Sequence, residues 1–431
     1  MTKENLIRDL FNFLDNSPCN FLAVDAAKDA LKRTGFVEKH LNAPLDVEHN
    51  RKFFVTKNDS ALFAVSLGTR PVSETGFRII AAHSDSPCFR IKPNAPIRSQ
   101  DGIVRLNTEV YGGPILYTWF DRPLSIAGRV ILKDNDALHP VTRLIHIRRP
   151  LLQISHLAIH FNRAVNEGNN LSKQKDMLPI IAKVNSEFET DGMLLNLVAN
   201  ELNVPREQIL DFDLMLFDTT PACTFGLHDE FISAGRLDDL SMVHAGLTAI
   251  TFDISEENTC VLAIFDNEET GSGTKQGAGS PVLSNLLLRI VEEQGGSYQD
   301  FSIAISNSFL ISADNAHAYH PNYSEKYDPT NHPALGGGPC IKINANCKYM
   351  SDAHSAAIFK SLCLDADVPF QYFVNHSDVA GGSTLGNILT GQIDIEGVDV
   401  GNPLLAMHSV RETGSVADHL NMTKVFTHFF N

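Results

Sequence analysis

The chain has 431 residues, which is more than one hydrophobic core usually serves, so we expect two domains. Hydrophobic residues make up 43% of the chain and charged residues 20%, as in an ordinary globular protein. The formal net charge of −16 argues against binding to nucleic acid or to an anionic membrane through bulk charge.

The N-terminal segment MTKENLIRDLFNFLDNS has the pattern of an amphipathic helix with charges throughout. It lacks the uninterrupted apolar stretch of a signal peptide, and the sequence has no run of about 18 apolar residues that would predict a transmembrane helix. The seven cysteines are scattered and form no CxxC pair, which favours a reducing compartment. We therefore expect a cytoplasmic protein without membrane contact.

The first ninety residues predict helices followed by strands. A second helical stretch, AAKDALKRTGF, precedes RKFFVTKNDSALFAVSLG, which has the pattern of a hairpin with NDS at its turn. GFRIIAAHSDSP is a short apolar run that ends in polar residues, which is typical of a buried parallel strand leading into a functional loop.

The rest of the chain divides into two patterns. Residues 96–224 contain β-like runs such as GIVRLNTEVYGG and LSIAGRVIL, whereas helical and strand patterns alternate from residue 225 onward. We predict an α/β fold in which a mixed, mainly parallel sheet is sandwiched by helices. This catalytic domain would comprise residues 1–95 and 225–431, and residues 96–224 would form an inserted β-rich domain that acts in dimerisation or as a lid.

Acids and histidines stand at the predicted strand ends, where ligands of such sheets bind. AAHSDSP supplies two of them and IFDNEETG another two, and RLDD supplies an acid at the start of a helix. The full set is His83, Asp85, Asp238, Glu268, Glu269, Asp314, His317 and His408. One histidine and one carboxylate for each of two metals, with a shared carboxylate, is the ligand set of a two-zinc hydrolase.

Two adjacent acids, Glu268 and Glu269, end the strand CVLAIFD. Neighbouring side chains on an extended backbone point to opposite sides, so one can face a metal and the other a water. We interpret Glu269 as a ligand and Glu268 as the general base that takes the proton from the bridging water. Asp85 follows His83 by two residues, and its carboxylate can hold the other N–H of that ring rather than bind metal itself.

Each residue also has a simpler explanation. Asp238 could cap a helix, Asp314 could form an Asx turn, and a lone histidine at a strand end is usually just a polar residue. These explanations are favoured individually but are weaker jointly, because each predicted strand would have to end in such a residue by chance.

The segments AAHSDSP, RLDD, FDNEETGS, SADNAHAYHPNY, IKINAN and AMHSVRE resemble, in this order, the M18 metallopeptidases known as aspartyl aminopeptidases. The resemblance covers essentially the whole chain and implies removal of N-terminal residues, preferentially Asp or Glu, from peptides. It implies two Zn²⁺ ions per subunit, although Mn²⁺ or Co²⁺ could serve at one site.

The same resemblance assigns roles to single residues. It places His83, Asp238 and Asp314 on one metal, and it places Asp238, Glu269 and His408 on the other. It makes Glu268 the base, and His317 a stabiliser of the tetrahedral intermediate. The substrate-binding residues would be Lys342, which faces an acidic side chain, His160, which reaches a neighbouring subunit's active site, and Met407. Family members assemble as tetrahedral dodecamers of dimers, so we expect a homo-oligomer.

Some positions depart from the family pattern and bear on substrate preference. His376 stands where arginine is frequent, and Lys348 lies in a CKYMS run where Gln-Arg-Tyr is more usual. Asp239 stands where asparagine is common. None of these changes removes a proposed ligand or the base.

Two other functions use the same features. A deacylase or carboxypeptidase on the same scaffold would need a residue that grips a substrate carboxylate, and a binding protein would have lost ligands or the base. The aromatic run around Trp119 could be a specificity loop, but we favour packing. GSGTKQGAG lacks the GK[ST] ending of a phosphate loop, so we do not predict nucleotide binding.

Overall fold

A computed structural model describes residues 2–185, 190, 192–252 and 254–431 of the chain. The chain forms two compact units, of which the first comprises Met1–Asp85, Ala222–Met407 and Glu412–Asn431 and the second comprises Ser86–Pro221 and His408–Arg411. The domain limits expected from the sequence, after residues 95 and 224, stay a prediction. Within the described ranges, none of the helices combines the length and apolar character needed to cross a membrane.

The strands are β1 (Val37–Lys39), β2 (Lys52–Lys57), β3 (Ala61–Ser66), β4 (Phe77–His83), β5 (Cys88–Arg98), β6 (Ile103–Tyr111), β7 (Leu124–Leu132), β8 (Val141–His146), β9 (Ile180–Lys183), β10 (Ile209–Asp218), β11 (Cys223–Phe225), β12 (Phe231–Ala234), β13 (Thr259–Phe265), β14 (Phe309–Ala313), β15 (Ala316–His317), β16 (Cys340–Ile343), β17 (Gln371–Val374), β18 (Glu396–Gly401), β19 (Pro403–Leu404) and β20 (Glu412–Ser415). The helices are α1 (Lys3–Asn16), α2 (Asn20–Arg33), α3 (Val72–Thr75), α4 (Met193–Leu202), α5 (Leu237–Thr251), α6 (Val282–Glu293), α7 (Tyr298–Ser306), α8 (Ala353–Asp365), α9 (Leu385–Leu389) and α10 (Val416–Phe430).

The first unit is built around a large mixed sheet with the strand order β1-β2-β3-β13-β4-β14-β18-β16-β17. Its centre is parallel, because β4 pairs in parallel with both β13 and β14, and β14 pairs in parallel with β18. Antiparallel pairs flank this centre at β2–β3, β3–β13 and β16–β18. The predicted α/β fold with a mixed, mainly parallel sheet is confirmed.

Helices cover both faces of this sheet, and the alternation of side chains along a strand shows why. In β13, Leu262 and Ile264 pack into the hydrophobic cluster formed with α1, α2, α5, α8 and α10. Val261, Ala263 and Phe265 point the other way and pack with α6, α7 and α9. A strand that is buried on both faces reads as a continuous apolar run, as CVLAIF does.

The second unit contains an antiparallel sheet with the order β8-β7-β10-β5-β6-β9. Its core includes Trp119, which is 3% exposed and lies edge-on to Phe89 with the ring centroids 5.0 Å apart. The packing interpretation of Trp119 is therefore confirmed, and this unit is β-rich, with α4 as its longest described helix.

Candidate metal centre

The site lies at the carboxyl edge of the central strands in the first unit. β4 ends at His83, and its parallel neighbour β14 ends one residue before Asp314. His83 Nε2 lies 3.7 Å from Asp238 Oδ1 and 3.9 Å from Asp314 Oδ1. Parallel strands bring their carboxyl ends to the same edge of a sheet, so these side chains converge although they are far apart in sequence.

The paired acids of RLDD begin α5, but neither residue has helical backbone angles. The backbone N–H of Asp238 donates to Glu412 Oε2 at 3.0 Å. Asp239 is fully buried, and its carboxylate accepts hydrogen bonds from the His83 backbone N–H and from Asn315 Nδ2, each at 3.1 Å. Asp239 therefore ties the end of β4 to the start of α5, which fixes where Asp238 stands.

Glu268 and Glu269 lie in a short 3₁₀ turn, Glu268–Thr270, that follows β13. The backbone N–H groups of both residues donate to the two carboxylate oxygens of Asp85, each at 3.1 Å. Asn267 has a φ of 62°, a left-handed conformation that asparagine tolerates, and its side-chain oxygen accepts from Gln276 Nε2 at 2.7 Å. Hydrogen bonds to Asp85 and from Gln276 therefore hold this turn in place.

Asp85 also faces the ring of His83. His83 Nδ1 lies 3.0 Å from the backbone oxygen of Asp85 and 3.4 Å from its Oδ1. An acceptor on Nδ1 leaves Nε2 as the nitrogen that faces Asp238 and Asp314, which is the orientation a metal ligand requires. Asp85 therefore orients the histidine, with its backbone oxygen as the nearer acceptor, and its carboxylate holds the double-glutamate turn.

Lys342, on β16, contributes a positive charge to this edge. It is 3% exposed, and its Nζ lies 3.4 Å from Asp314 Oδ2 and 5.6 Å from the centre of the Tyr349 ring. Burial works to raise the pKa of Asp314, but Lys342 and His83 outweigh burial and hold that pKa below its usual range. The neighbouring positive charge therefore favours the ionised form of Asp314, which is the form that binds a metal.

The other titratable groups show an excess of buried negative charge. Burial works to lower the pKa of His83, yet Asp239 and Asp314 lead the neighbouring carboxylates in raising it well above its usual value. Burial raises the pKa of Glu268 to about 8, with His83 opposing the shift and Asp314 adding to it. This many carboxylates can be buried at one edge only if some of them are protonated or if a cation binds among them.

The donor set fits zinc. Bonds of about 2.0–2.1 Å to nitrogen and oxygen in a tetrahedron place neighbouring ligand atoms roughly 3.3 Å apart. The 3.7 Å and 3.9 Å separations around His83 Nε2 exceed that spacing by about half an ångström, so a small contraction of the side chains would bring them to it. Candidate ligand atoms of His83, Asp238, Asp239 and Asp314 all lie within 4.8 Å of one another, and those of His83, Glu268 and Glu269 do as well.

The other predicted residues are His317, Met407, His408 and His160. His317, on β15, is exposed, and its ring centroid lies 5.7 Å from that of Phe373. Met407 is partly buried and packs against the core of the first unit. His408 belongs to the second unit, where its Nδ1 lies 3.2 Å from the Gly113 oxygen. His160 is exposed in a 3₁₀ turn of the second unit. The roles of all four stay predictions.

Sequence reasoning missed two buried residues of this edge. Asn315 donates from Nδ2 to the Leu237 oxygen at 2.9 Å as well as to Asp239, so it links β14 to the start of α5. Asp266 is 1% exposed and accepts from Asn20 Nδ2 at 3.0 Å, and burial raises its pKa to about 7. Asn315 directly follows the predicted site residue Asp314, and Asp266 follows the end of β13 two residues before Glu268, which was the available signal.

Comparison with known proteins identifies the family. The family model described as "Aminopeptidase I zinc metalloprotease (M18)" matches residues 13–430. A protein of Clostridium novyi (strain NT) named "Probable M18 family aminopeptidase 2" is 50% identical over 429 residues, which cover 100% of this chain and 99% of that protein.

Solved structures agree with this match. The structure described as "Cryo-EM structure of the Ape4 and Nbr1 complex" has a TM-score of 0.95 and 36% identity, and the match covers 99% of this chain and 86% of that one. The "S. cerevesiae mApe1 dodecamer" has a TM-score of 0.86 and 25% identity over 99% of this chain and 96% of that one. The resemblance drawn from the sequence motifs is confirmed, and the chain belongs to the M18 family of zinc metalloaminopeptidases.

Proposed function

We propose that this aminopeptidase uses two metal ions and removes N-terminal residues, preferentially Asp and Glu, from peptides. The observation that carries the two-metal proposal is the convergence of His83, Asp238 and Asp314 beside the Glu268–Glu269 turn at one sheet edge. A single tetrahedral zinc ion takes four ligands. This edge offers more candidate ligands than that: one histidine, three carboxylates and a further glutamate.

In this proposal, His83, Asp238 and Asp314 hold one zinc ion, and Asp238, Glu269 and His408 hold the other, with Asp238 shared. When bound, the ions supply the Lewis acidity that polarises a peptide carbonyl and lowers the pKa of a nearby water. Asp85 and Asp239 keep the ligands oriented through the hydrogen bonds described above.

Glu268 is the proposed general base. It shares its turn with Glu269, so the backbone that places a ligand also places the base beside it. Burial raises the pKa of Glu268 to about 8, and a bound cation would lower it toward the neutral range in which a base works best. Glu268 would take a proton from water and deliver it to the leaving amine, and His317 would stabilise the tetrahedral oxyanion.

Lys342 supports the proposed acidic preference. A buried ammonium left without a partner is costly, so a site containing one discriminates an acidic side chain from a neutral one. In the structure this ammonium lies against Asp314, so it has a partner before substrate arrives. The preference therefore depends on how Lys342 divides its interaction between Asp314 and the substrate, with His376 and Lys348 as the departures that could alter it.

Homo-oligomer formation, as a tetrahedral dodecamer of dimers, is part of the same proposal. Leu157, Ile159 and Phe161 are 62%, 52% and 81% exposed and flank His160 in the second unit. Exposed apolar residues this close together are typical of a contact with another protein surface. The similarity to the "S. cerevesiae mApe1 dodecamer" supports a homo-oligomer. In this proposal, His160 reaches a neighbouring subunit. A cytoplasmic location and the absence of nucleic-acid and membrane partners remain expectations from the sequence.

A matched pair of substrates tests the aminopeptidase chemistry against a deacylase. We expect the zinc-loaded protein to hydrolyse Asp-p-nitroanilide and to leave N-acetyl-Asp-p-nitroanilide intact, because the free amine must be recognised near the metals. Cleavage of the acetylated compound at the acetyl amide, with the free-amine compound untouched, would instead identify a deacylase.

A further inference from the structure

Asp399, on β18, is a fully buried residue that has no part in the chemistry proposed for the metal centre. Its Oδ2 accepts a hydrogen bond from the Met350 backbone N–H at 2.6 Å, and its Oδ1 accepts one from Thr384 Oγ1 at 2.6 Å. Its own backbone N–H donates to Ser351 Oγ at 2.8 Å. Burial of a carboxylate is costly unless its oxygens are paired, so these contacts should keep their partners in place.

The residues bonded to Asp399 belong to two separate segments. Two of them lie between β16 and α8, in residues 344–352, which we call the β16–α8 loop. Thr384 is the last residue between β17 and α9, in residues 375–384, which we call the β17–α9 loop. A Cβ on Gly386, in the first turn of α9, would lie 2.6 Å from Asp399 Oδ2, so this helix begins directly against the carboxylate. One side chain therefore joins both loops to the large sheet.

The β16–α8 loop also contacts Lys342. Tyr349, which precedes the residue whose N–H is bonded to Asp399, is buried, and its ring centre lies 5.6 Å from Lys342 Nζ. β16 runs antiparallel to β18, and their register pairs Ile341 with Val400. Lys342 and Asp399 are therefore the next residues along the two strands, and their side chains point to the same face of the sheet. Asp399 thus fixes the backbone beside the ring that lies against the Lys342 ammonium.

The two loops touch one another as well. A Cβ on Gly381, in the β17–α9 loop, would lie 3.4 Å from Nδ2 of Asn344, in the β16–α8 loop. The same loops carry Lys348 and His376, the departures from the family pattern that bear on substrate preference. Both of these positions therefore lie on segments that are joined at Asp399.

We propose that Asp399 is a positioning residue for recognition of the acidic side chain of the substrate. Its action is indirect, because it holds the β16–α8 and β17–α9 loops in the arrangement in which Lys342 can bind that side chain. The inference rests on the proposed function, in which Lys342 supports an acidic preference. A contact that stabilises substrate and transition state equally changes KM and leaves kcat unaltered, so looser loops should raise KM.

Two substitutions loosen this arrangement in different ways. Thr384→Val removes the hydroxyl donor at nearly constant volume, and Gly386→Ala places a methyl group against the Asp399 carboxylate while every polar group stays. In each zinc-loaded variant, KM for Asp-p-nitroanilide should rise roughly tenfold, which is the size of one lost hydrogen bond to a charged group. The value of kcat should stay within about twofold of the wild type, and zinc content should be unchanged.

Thr384→Ser is the matched control, because it keeps the hydroxyl and should therefore keep the wild-type KM. Hydrogen–deuterium exchange of peptides from the two loops and α9 measures the loosening separately from activity. Exchange should be faster in Thr384→Val and Gly386→Ala than in the wild type and in Thr384→Ser.

A wild-type KM in both Thr384→Val and Gly386→Ala would overturn the proposal, and faster exchange in the same variants would show that Asp399 holds the loops for stability alone. A fall in kcat or in zinc content without a rise in KM would overturn it as well, because Asp399 would then act on the metal centre. A wild-type protein that leaves Asp-p-nitroanilide intact would instead refute the proposed function, and this inference with it, so the two failures are distinguishable.

Discussion

At the scale of single residues, a substitution of Glu268 gives the most direct test of the proposed general base. Glu268→Gln keeps the shape of the side chain but removes the proton acceptor, so kcat should fall by roughly 10²–10⁴-fold. Zinc content should stay at the wild-type level, because this residue is not a proposed ligand. Kinetics with Asp-p-nitroanilide and metal analysis of the same preparation check both statements.

The matched control for that variant is Glu325→Gln, in the exposed turn Ser324–Lys326. It makes the same chemical change outside the site and should leave kcat unaltered. Full activity of Glu268→Gln would show that the base has been assigned to the wrong residue.

Lys342 gives a second prediction at this scale. Lys342→Met removes the cation beside Asp314 and leaves a buried carboxylate uncompensated, a change that typically costs about 3–5 kcal/mol. The zinc-free variant should therefore melt well below the zinc-free wild type. Zinc should narrow the difference because it restores positive charge at the same edge. Differential scanning calorimetry with and without zinc measures this.

Substrate preference separates the two roles of Lys342. If Lys342 also binds the acidic side chain of the substrate, the ratio of kcat/KM for Asp-p-nitroanilide to kcat/KM for Ala-p-nitroanilide should fall in the same variant. An unchanged ratio together with the stability loss would leave Lys342 as a residue that positions Asp314 only.

Several of the residues that sequence reasoning found at this site stand at the end of an apolar run, whereas Asp238 stands at the start of a helix. His83 and Asp314 are visible in this way because parallel strands bring their ends to one edge. Asp239 and Asn315 hold that edge together through hydrogen bonds, and nothing in the spacing of AAHSDSP, RLDD and SADNAH reveals which polar neighbours will meet. Such partners are set by tertiary packing, which periodicity does not encode.

At the scale of elements, most of the first unit follows from local pattern. The hairpin β2–β3, with the left-handed residues Asn58 and Asp59 at its turn, is confirmed, as are the N-terminal helix α1 and α5. The helix periodicity of LDDLSMVHAGLTAIT does not show that Asp238 and Asp239 depart from helical geometry at its start. That departure depends on contacts with β4, β14 and Glu412.

A histidine pair between two helices gives a prediction for pH. His244 Nδ1, on α5, lies 3.0 Å from Nε2 of His419, on α10, and His419 is 2% exposed. Burial, assisted by His244, holds the pKa of His419 well below its usual value. Unfolded His419 gains a proton below about pH 6.5 whereas folded His419 stays neutral, so its contribution to stability is lost as pH falls.

The expected size of this effect is at most about 1.4 kcal/mol per pH unit below pH 6.5, since one proton is involved. His419→Gln removes the titrating group, so the decline in stability between about pH 6.5 and 5 should be shallower than in the wild type. Urea unfolding at several pH values compares the two proteins. Parallel profiles would show that His419 does not contribute.

At the scale of the whole molecule, the apolar residues around His160 predict an assembly. Phe161, which is 81% exposed, should lie in a contact between copies, and Phe161→Asp should disrupt that contact by placing a charge in an apolar interface. Light scattering after size-exclusion chromatography should show a large oligomer for the wild type and a smaller species for the variant.

Leu138→Asp is the control for this experiment, because Leu138 is 85% exposed in a different loop of the second unit. It should keep the wild-type mass. A monomeric wild-type protein with full activity would contradict both the assembly and the role of His160.

The central claim is that the chain is a metal-dependent aminopeptidase that prefers acidic N-termini. The most direct measurement is hydrolysis of Asp-, Glu-, Ala- and Leu-p-nitroanilide, with a chelator and after zinc, manganese or cobalt is added back. We predict cleavage of the Asp and Glu compounds that the chelator abolishes and metal restores. Cleavage that survives complete removal of metal would contradict the account, and equal rates on all four compounds would contradict its claim of acidic preference.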